Sequence, residues 1–206
     1  MHVVWRIRST RLFVRVHATA SRRHKDILTV GIVHYAMQCS VIKGDIAEQS
    51  ADALVNAAGT SLRMGSGVAG ALRQRGGEAL NEAAVSQGPI ELGDVAITDG
   101  FDLDAKYVIH AAAMPHYGDG QATEESIRAA TRHALEAADR LGCESIVLPA
   151  IGCGVAGFEK NEGAAIICDE IAAFEASSLT DVRLIGYTND EYDTLLRTAE
   201  TTNALE

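Results

Sequence analysis

Two glycine clusters in this chain are built to hold an anion. Val55-Asn56-Ala57-Ala58-Gly59 leads into Gly65-Ser66-Gly67-Val68, and far downstream stands Gly152-Cys153-Gly154-Val155-Ala156-Gly157. In each case an apolar run empties into small residues and then into a helical pattern. That order puts bare backbone N–H groups and a helix N-terminus around one point, and glycine allows positive φ and close approach of main chain to ligand. The second cluster is fed by Ser145-Ile146-Val147-Leu148-Pro149-Ala150-Ile151, a buried-strand run. Two such loops suit a diphosphate. Neither ends in the Gly-Lys-Ser/Thr of a P-loop, which argues against nucleotide hydrolysis of that type.

Other reactive side chains offer less. His110 ends an apolar run and His116 follows Met114-Pro115, but neither is joined by a Ser or Cys in a nucleophile motif. His110 reads as the partner of a backbone group at a strand end, His116 as a loop residue near the crevice, and His133 as a solvated helix residue. Cys153 reads as a small loop residue, because a reactive thiolate wants a nearby cation that the sequence does not show. The cysteines at 39, 143, 153 and 168 fit neither metal-ligand spacing nor a disulfide framework. No metal and no cofactor are expected, and the compartment expected is reducing and cytoplasmic.

The elements that must carry these loops alternate. Strands are predicted at 38–42, 53–57, 94–98, 107–112, 145–149 and 182–187, several of them near-continuously apolar, as strands covered on both faces are. Helices are predicted at 67–87, broken near Gly76-Gly77, and at 123–141, 158–176 and 190–201, with Gly142 as a C-terminal stop. The order predicts an α/β layered fold on a mostly parallel sheet, with its crevice beyond the strand ends where both loops emerge.

At 206 residues and 47% hydrophobic content the chain can bury one good core. No apolar run approaches the ~18 residues of a membrane span. Residues 1–36 hold seven Lys/Arg against a single acid, Asp26, so the rest of the chain is more acidic than the formal −10 of the whole. An acidic body of this kind stays hydrated in concentrated salt, which points to a halophilic cytosol. The basic head lacks the apolar core of a secretory signal and shares the Arg-rich character of a transit peptide. The preferred expectation is a basic extension without a fold of its own, either disordered or upstream of a true start at Met37, ahead of a nucleic-acid-binding arm; residues 37–206 then form the single domain.

Gly44-Asp45-Ile46, Val55-Asn56-Ala57-Ala58, Gly65-Ser66-Gly67-Val68-Ala69-Gly70-Ala71-Leu72, Gly93-Asp94-Val95-Ala96, Tyr107-Val108-Ile109-His110 and Leu148-Pro149-Ala150-Ile151-Gly152-Cys153-Gly154-Val155 follow one another in order. Together they resemble a macro domain over residues 37 to about 200. The resemblance implies a three-layer α/β/α sandwich on a six-stranded mixed sheet that binds ADP-ribose or its derivatives. It implies that Asp45 accepts a hydrogen bond from the adenine amine, where guanine would present a carbonyl. Ile46 would add a backbone N–H and an apolar wall, Tyr187 would pack on the adenine ring, and Asn56 would hold the distal ribose. Gly65, Ser66, Gly67 and Val68 would wrap one side of the diphosphate, and Gly152, Cys153, Gly154 and Val155 the other, without an arginine clamp.

Three positions depart from the hydrolytic members of that family. Many of those carry a second Asn where this chain has Gly59, an Asp where it has Ala69, and an aromatic near the distal ribose where it has Ala156. With both polar candidates absent, a water attacking the anomeric carbon of the distal ribose would be oriented by the ligand phosphate, Ser66 and backbone groups, and turnover would be slow. The readings carried forward are an ADP-ribose-binding module and a hydrolase acting on ADP-ribosyl groups or ADP-ribose phosphate. An ADP-ribosylated macromolecule is the expected partner. Single-stranded RNA or poly-adenylate binding stands further off, opposed by the acidic body.

Overall fold

The computed structural model describes residues 3–7, 14–15, 31–32, 37–116 and 119–203. Seven strands form one sheet: β1 (Val3–Ile7), β2 (Met37–Lys43), β3 (Ala51–Gly59), β4 (Val95–Asp99), β5 (Ala105–Met114), β6 (Ser145–Pro149) and β7 (Asp181–Gly186), in the spatial order β1-β2-β7-β6-β3-β5-β4. The five central strands run parallel, and β1 and β4 lie antiparallel at the two edges. Val14–Arg15 and Gly31–Ile32 form a separate short antiparallel pair. The six strands expected from residue 37 onward are all present. The expectation for residues 1–36 falls mostly outside the described residues.

Alternation along the strands sorts the core into two layers. On β3, Ala53 and Val55 join the cluster under the helices α3 (Glu124–Arg140), α4 (Lys160–Ala173) and α5 (Asn189–Asn203), while Leu54 and Ala58 face the cluster under α1 (Gly67–Gly76) and α2 (Glu78–Val85). On β6 the same period sends Ile146 and Leu148 one way and Val147 the other. Each strand therefore feeds both layers, which is why its residues read as a continuous apolar run. Fully buried Ile127, Leu135 and Ile167 pin α3 and α4 to their face, each side chain contributing about 1.5–3 kcal/mol of burial.

Local signals set the helix ends. Thr123 and Ser126 form a reciprocal capping box at the start of α3, with Ser126 N–H donating to Thr123 Oγ1 at 3.1 Å and Thr123 N–H to Ser126 Oγ at 2.9 Å. The break between α1 and α2 falls on Gly77 at φ +87, a conformation that side chains with a Cβ rarely adopt. Among the described residues no helix is long and apolar enough to cross a membrane.

Parallel strands end at the same edge of the sheet, and this is what builds the site. The chain leaves β2 at Gly44, β7 at Tyr187, β6 at Ala150 and β3 at Thr60. Four strand ends side by side open one crevice beyond their carboxyl termini.

Candidate functional site

A crevice of about 550 Å³ runs across those four strand ends, within the size range of small-molecule sites. Asp45, Ile46 and Tyr187 line it over β2 and β7; the 65–68 loop and the 152–156 loop line its middle; Ala57, Gly59, Ala69 and Met114 line it over β3 and β5. Among the described residues no cluster of three or more His, Cys, Asp or Glu side chains could hold a metal ion.

The end over β2 begins with a turn. Asp45 Oδ1 accepts from Ala47 N–H at 2.9 Å and so caps the 3-10 turn Ile46–Glu48. Ile46 is buried behind it. Tyr187 is 70% exposed, an aromatic face left open at the rim. Its own backbone N–H and that of Thr188 both donate to Glu191 Oε2, at 2.9 and 3.1 Å, which ties the loop after β7 to the start of α5.

The first glycine loop leads straight into α1. Ser66 is the N-cap, with extended backbone, and Gly67 follows at φ +58. The first intrahelical acceptor is Ser66 C=O, which takes Gly70 N–H at 3.1 Å, so the amides of the first turn have no acceptor within the helix and lie along the crevice. Helix polarity adds a partial positive charge there.

The second loop works differently from its sequence expectation. Phe158 N–H donates to Gly152 C=O at 3.2 Å and Gly157 N–H to Gly154 C=O at 3.0 Å, closing a ring in which the amides of Gly154, Val155 and Ala156 have no backbone acceptor among the described residues. The helix behind it does not contribute. α4 begins only at Lys160, and its N-terminus is already occupied by the Glu159 carboxylate, which accepts from Glu162 N–H at 2.7 Å. The predicted helix start at 158 is thereby corrected, and the loop offers amides without a helix terminus. Cys153 is buried beside Gly163, and burial pushes its thiol up to about 11, consistent with an inert loop residue.

Of the expected site residues, Asn56 alone does not line the crevice. It is fully buried within β3, where its Nδ2 donates to His110 Nδ1 at 3.0 Å, and His110 Nε2 faces Thr98 Oγ1 at 3.0 Å. Asn56 Oδ1 has no hydrogen-bond partner among the described residues. His110 thus partners side chains of β3 and β4 rather than a backbone group at a strand end. His116 is exposed and is not part of the crevice wall. His133, expected in solvent, is only partly exposed, with Nδ1 2.9 Å from Gly93 C=O.

Burial holds His110 neutral, with its pKa down to about 4 from 6.5. The unfolded chain takes up a proton below about 6.5 that the folded chain refuses until about 4. The stability contributed by keeping this ring neutral is therefore intact above pH 6.5 and falls by about 3 kcal/mol as pH drops to 4. Urea unfolding at pH 7 and 4.5 should show His110→Gln losing less stability between the two pH values than the parent chain. Equal losses would contradict the assignment.

Several wall residues leave no signal in the sequence. Arg63 and Lys160 both line the crevice, as do Gln74 and Glu191. Exposed loop cations carry no periodic signal, although buried Leu62 and Met64 on either side of Arg63 mark a chain that alternates in and out. The three departures also take physical form. A Cβ at Gly59 would press on the Pro115 carbonyl at 3.0 Å, and Ala69 and Ala156 are small buried wall residues.

The Macro domain model matches residues 55–167. An uncharacterized protein of Saccharolobus solfataricus is 38% identical over 164 residues, 77% of this chain and 90% of that protein. O-acetyl-ADP-ribose deacetylase 1 of Pantoea vagans is 36% identical over 165 residues, 77% of this chain and 96% of that protein. Among solved structures, the Oceanobacillus iheyensis macrodomain with ADP superposes with a TM-score of 0.75 at 27% identity, covering 82% of this chain and 94% of that one. The Trypanosoma brucei macrodomain in complex with ADP-ribose superposes at 0.71 and 26% identity, covering 77% and 68%.

Proposed function

This chain belongs to the macro domain family, and on that premise we propose that it binds ADP-ribose, or an ADP-ribose derivative, in the crevice between the glycine loops. One observation carries the reading. A Cβ built on Gly65 or Gly154 would meet no protein atom within 4 Å, and neither glycine has a positive φ, so neither packing nor backbone conformation requires glycine there; they keep open the space in which unpaired amides converge. Amides from two loops can grip a diphosphate from both sides. The related structures holding ADP and ADP-ribose support the same ligand class.

The order of the wall fits the order of the ligand. Asp45 and Tyr187 take the adenine, with the second carboxylate oxygen of Asp45 accepting from the exocyclic amine. The two loops take the diphosphate, and the small-residue end over β3 and β5 takes the distal ribose. The target is an ADP-ribosylated macromolecule or the free metabolite. Four buried free cysteines and the acidic composition support a cytoplasmic, salt-rich setting. Thermal melts test the ligand: ADP-ribose at a hundredfold over its Kd should stabilise the chain by about 2.7 kcal/mol, and adenosine at the same concentration should stabilise it less.

A second reading is favoured by the relative named as a deacetylase of O-acetyl-ADP-ribose. Here the same crevice hydrolyses an ADP-ribosyl bond, with water oriented by Ser66 and the ligand phosphate. Gly59 and Ala69 supply no side-chain base, so this activity is slow positional catalysis. Product release at stoichiometric protein separates the two readings, because a binding module leaves the modified substrate intact.

A further inference from the structure

We propose that Arg63 pairs with the ligand diphosphate and sets the charge selectivity of the crevice; the proposal rests on the ADP-ribose reading above. Among the described residues two cations line the wall, Arg63 and Lys160. Lys160 Nζ is engaged with Asp190 Oδ2 at 2.7 Å. Arg63 forms no ion pair or hydrogen bond among the described residues, and its side chain is exposed. Among the described residues it is the wall cation left unpaired for an incoming anion.

The loop that presents it is braced. Leu62 and Met64 are buried to 0% and 1% exposure on either side. Met64 N–H donates to Asn81 Oδ1 at 3.1 Å, and its carbonyl accepts from Arg73 Nη1 at 3.2 Å. Leu62 sits at φ +57, an uncommon conformation for a side chain of this type, held by its burial. Fixed neighbours confine the Arg63 backbone to one position, two residues before Gly65 and so next to the loop assigned to the diphosphate. A guanidinium offers several donors to phosphate oxygens at once.

Electrostatics give the residue a task that amides do not perform. The chain carries a formal −10, and Asp45 and Glu191 add carboxylates to the same wall. A dianionic ligand approaching this surface is repelled at long range, and a peptide amide, having no net charge, does little to offset that. Arg63 does offset it. Its effect should be largest at low salt and fade as screening increases.

The test is calorimetric titration of the full chain, as the parent, Arg63→Gln and Arg63→Lys, with ADP-ribose, ADP and adenosine at low and high potassium chloride. At low salt Arg63→Gln should weaken ADP and ADP-ribose equally, each about fivefold, with Arg63→Lys in between. Adenosine binding should be unchanged, and the deficit of Arg63→Gln in ADP binding should shrink at high potassium chloride. Unaltered ADP binding in Arg63→Gln would overturn the proposal, and so would a loss confined to ADP-ribose, which would put Arg63 on the distal ribose. A parent chain that binds neither ADP-ribose nor ADP would overturn the ADP-ribose reading and this proposal with it.

Discussion

Replacing Asp45 with Asn should raise the Kd for ADP-ribose at least tenfold while improving the relative binding of GDP-ribose. Asp45 has two carboxylate oxygens with separate tasks. Oδ1 accepts from Ala47 N–H and holds the 3-10 turn; the other is assigned to the adenine amine. Asn keeps the first, since it is as good a cap as Asp. At the second position it presents an NH2 to an NH2 on adenine, and to a carbonyl on guanine. Losing a hydrogen bond to a charged acceptor costs about 1.5–3 kcal/mol, and leaving two donors opposed adds to it. Because the cap survives, the melting temperature should be unchanged, which separates ligand reading from folding. Unaltered base preference in Asp45→Asn would place the adenine elsewhere.

Gly154→Val should abolish ADP-ribose binding, raising Kd more than about a hundredfold, in a protein that melts as the parent does. Gly154 stands outside the positive-φ glycines, and a Cβ there meets no protein atom within 4 Å. The folded chain accommodates valine; the ligand does not, because the branched side chain occupies the space before the amides of the second loop. Gly152 provides the contrast. It sits at φ +79, and its Cβ would strike Ile127 at 2.7 Å and 2.8 Å, so Gly152→Val should lose stability by several kcal/mol through strain and overpacking. Two valines two residues apart are thus expected to fail for different reasons, one by binding and one by folding. Undiminished binding in a folded Gly154→Val would remove this loop from the site.

The strands and helices from residue 37 onward were legible because burial on both faces writes long apolar runs. β3 and β5 extend further than expected, to Gly59 and Met114, since the alanines before those ends carry little apolar signal. Asn56 illustrates what order along the chain conceals and period reveals. Leu54, Asn56 and Ala58 share one face of β3, and Leu54 and Ala58 are core residues of the α1/α2 layer. An alternation argument would have placed Asn56 inside, where it pairs with His110 across the β3–β5 register. The second glycine loop was located correctly, but its helix start was not: α4 begins at Lys160 with the Glu159 carboxylate on its first amides, and a side chain capping its own helix looks in sequence like any exposed acid. Arg63 left no trace because pairing, or its lack, is a property of the folded surface.

Calorimetric titration of ADP-ribose into the full chain at high potassium chloride, with AMP and GDP-ribose as comparison ligands, decides whether this crevice is an ADP-ribose site. Micromolar binding of ADP-ribose is expected, corresponding to about −8 kcal/mol, falling sharply for AMP, which lacks the diphosphate, and for GDP-ribose, which lacks the adenine amine. No detectable heat at several temperatures, from a chain shown to be folded, would contradict it and mean that Gly59, Ala69 and Ala156 mark a crevice shaped for a different ligand.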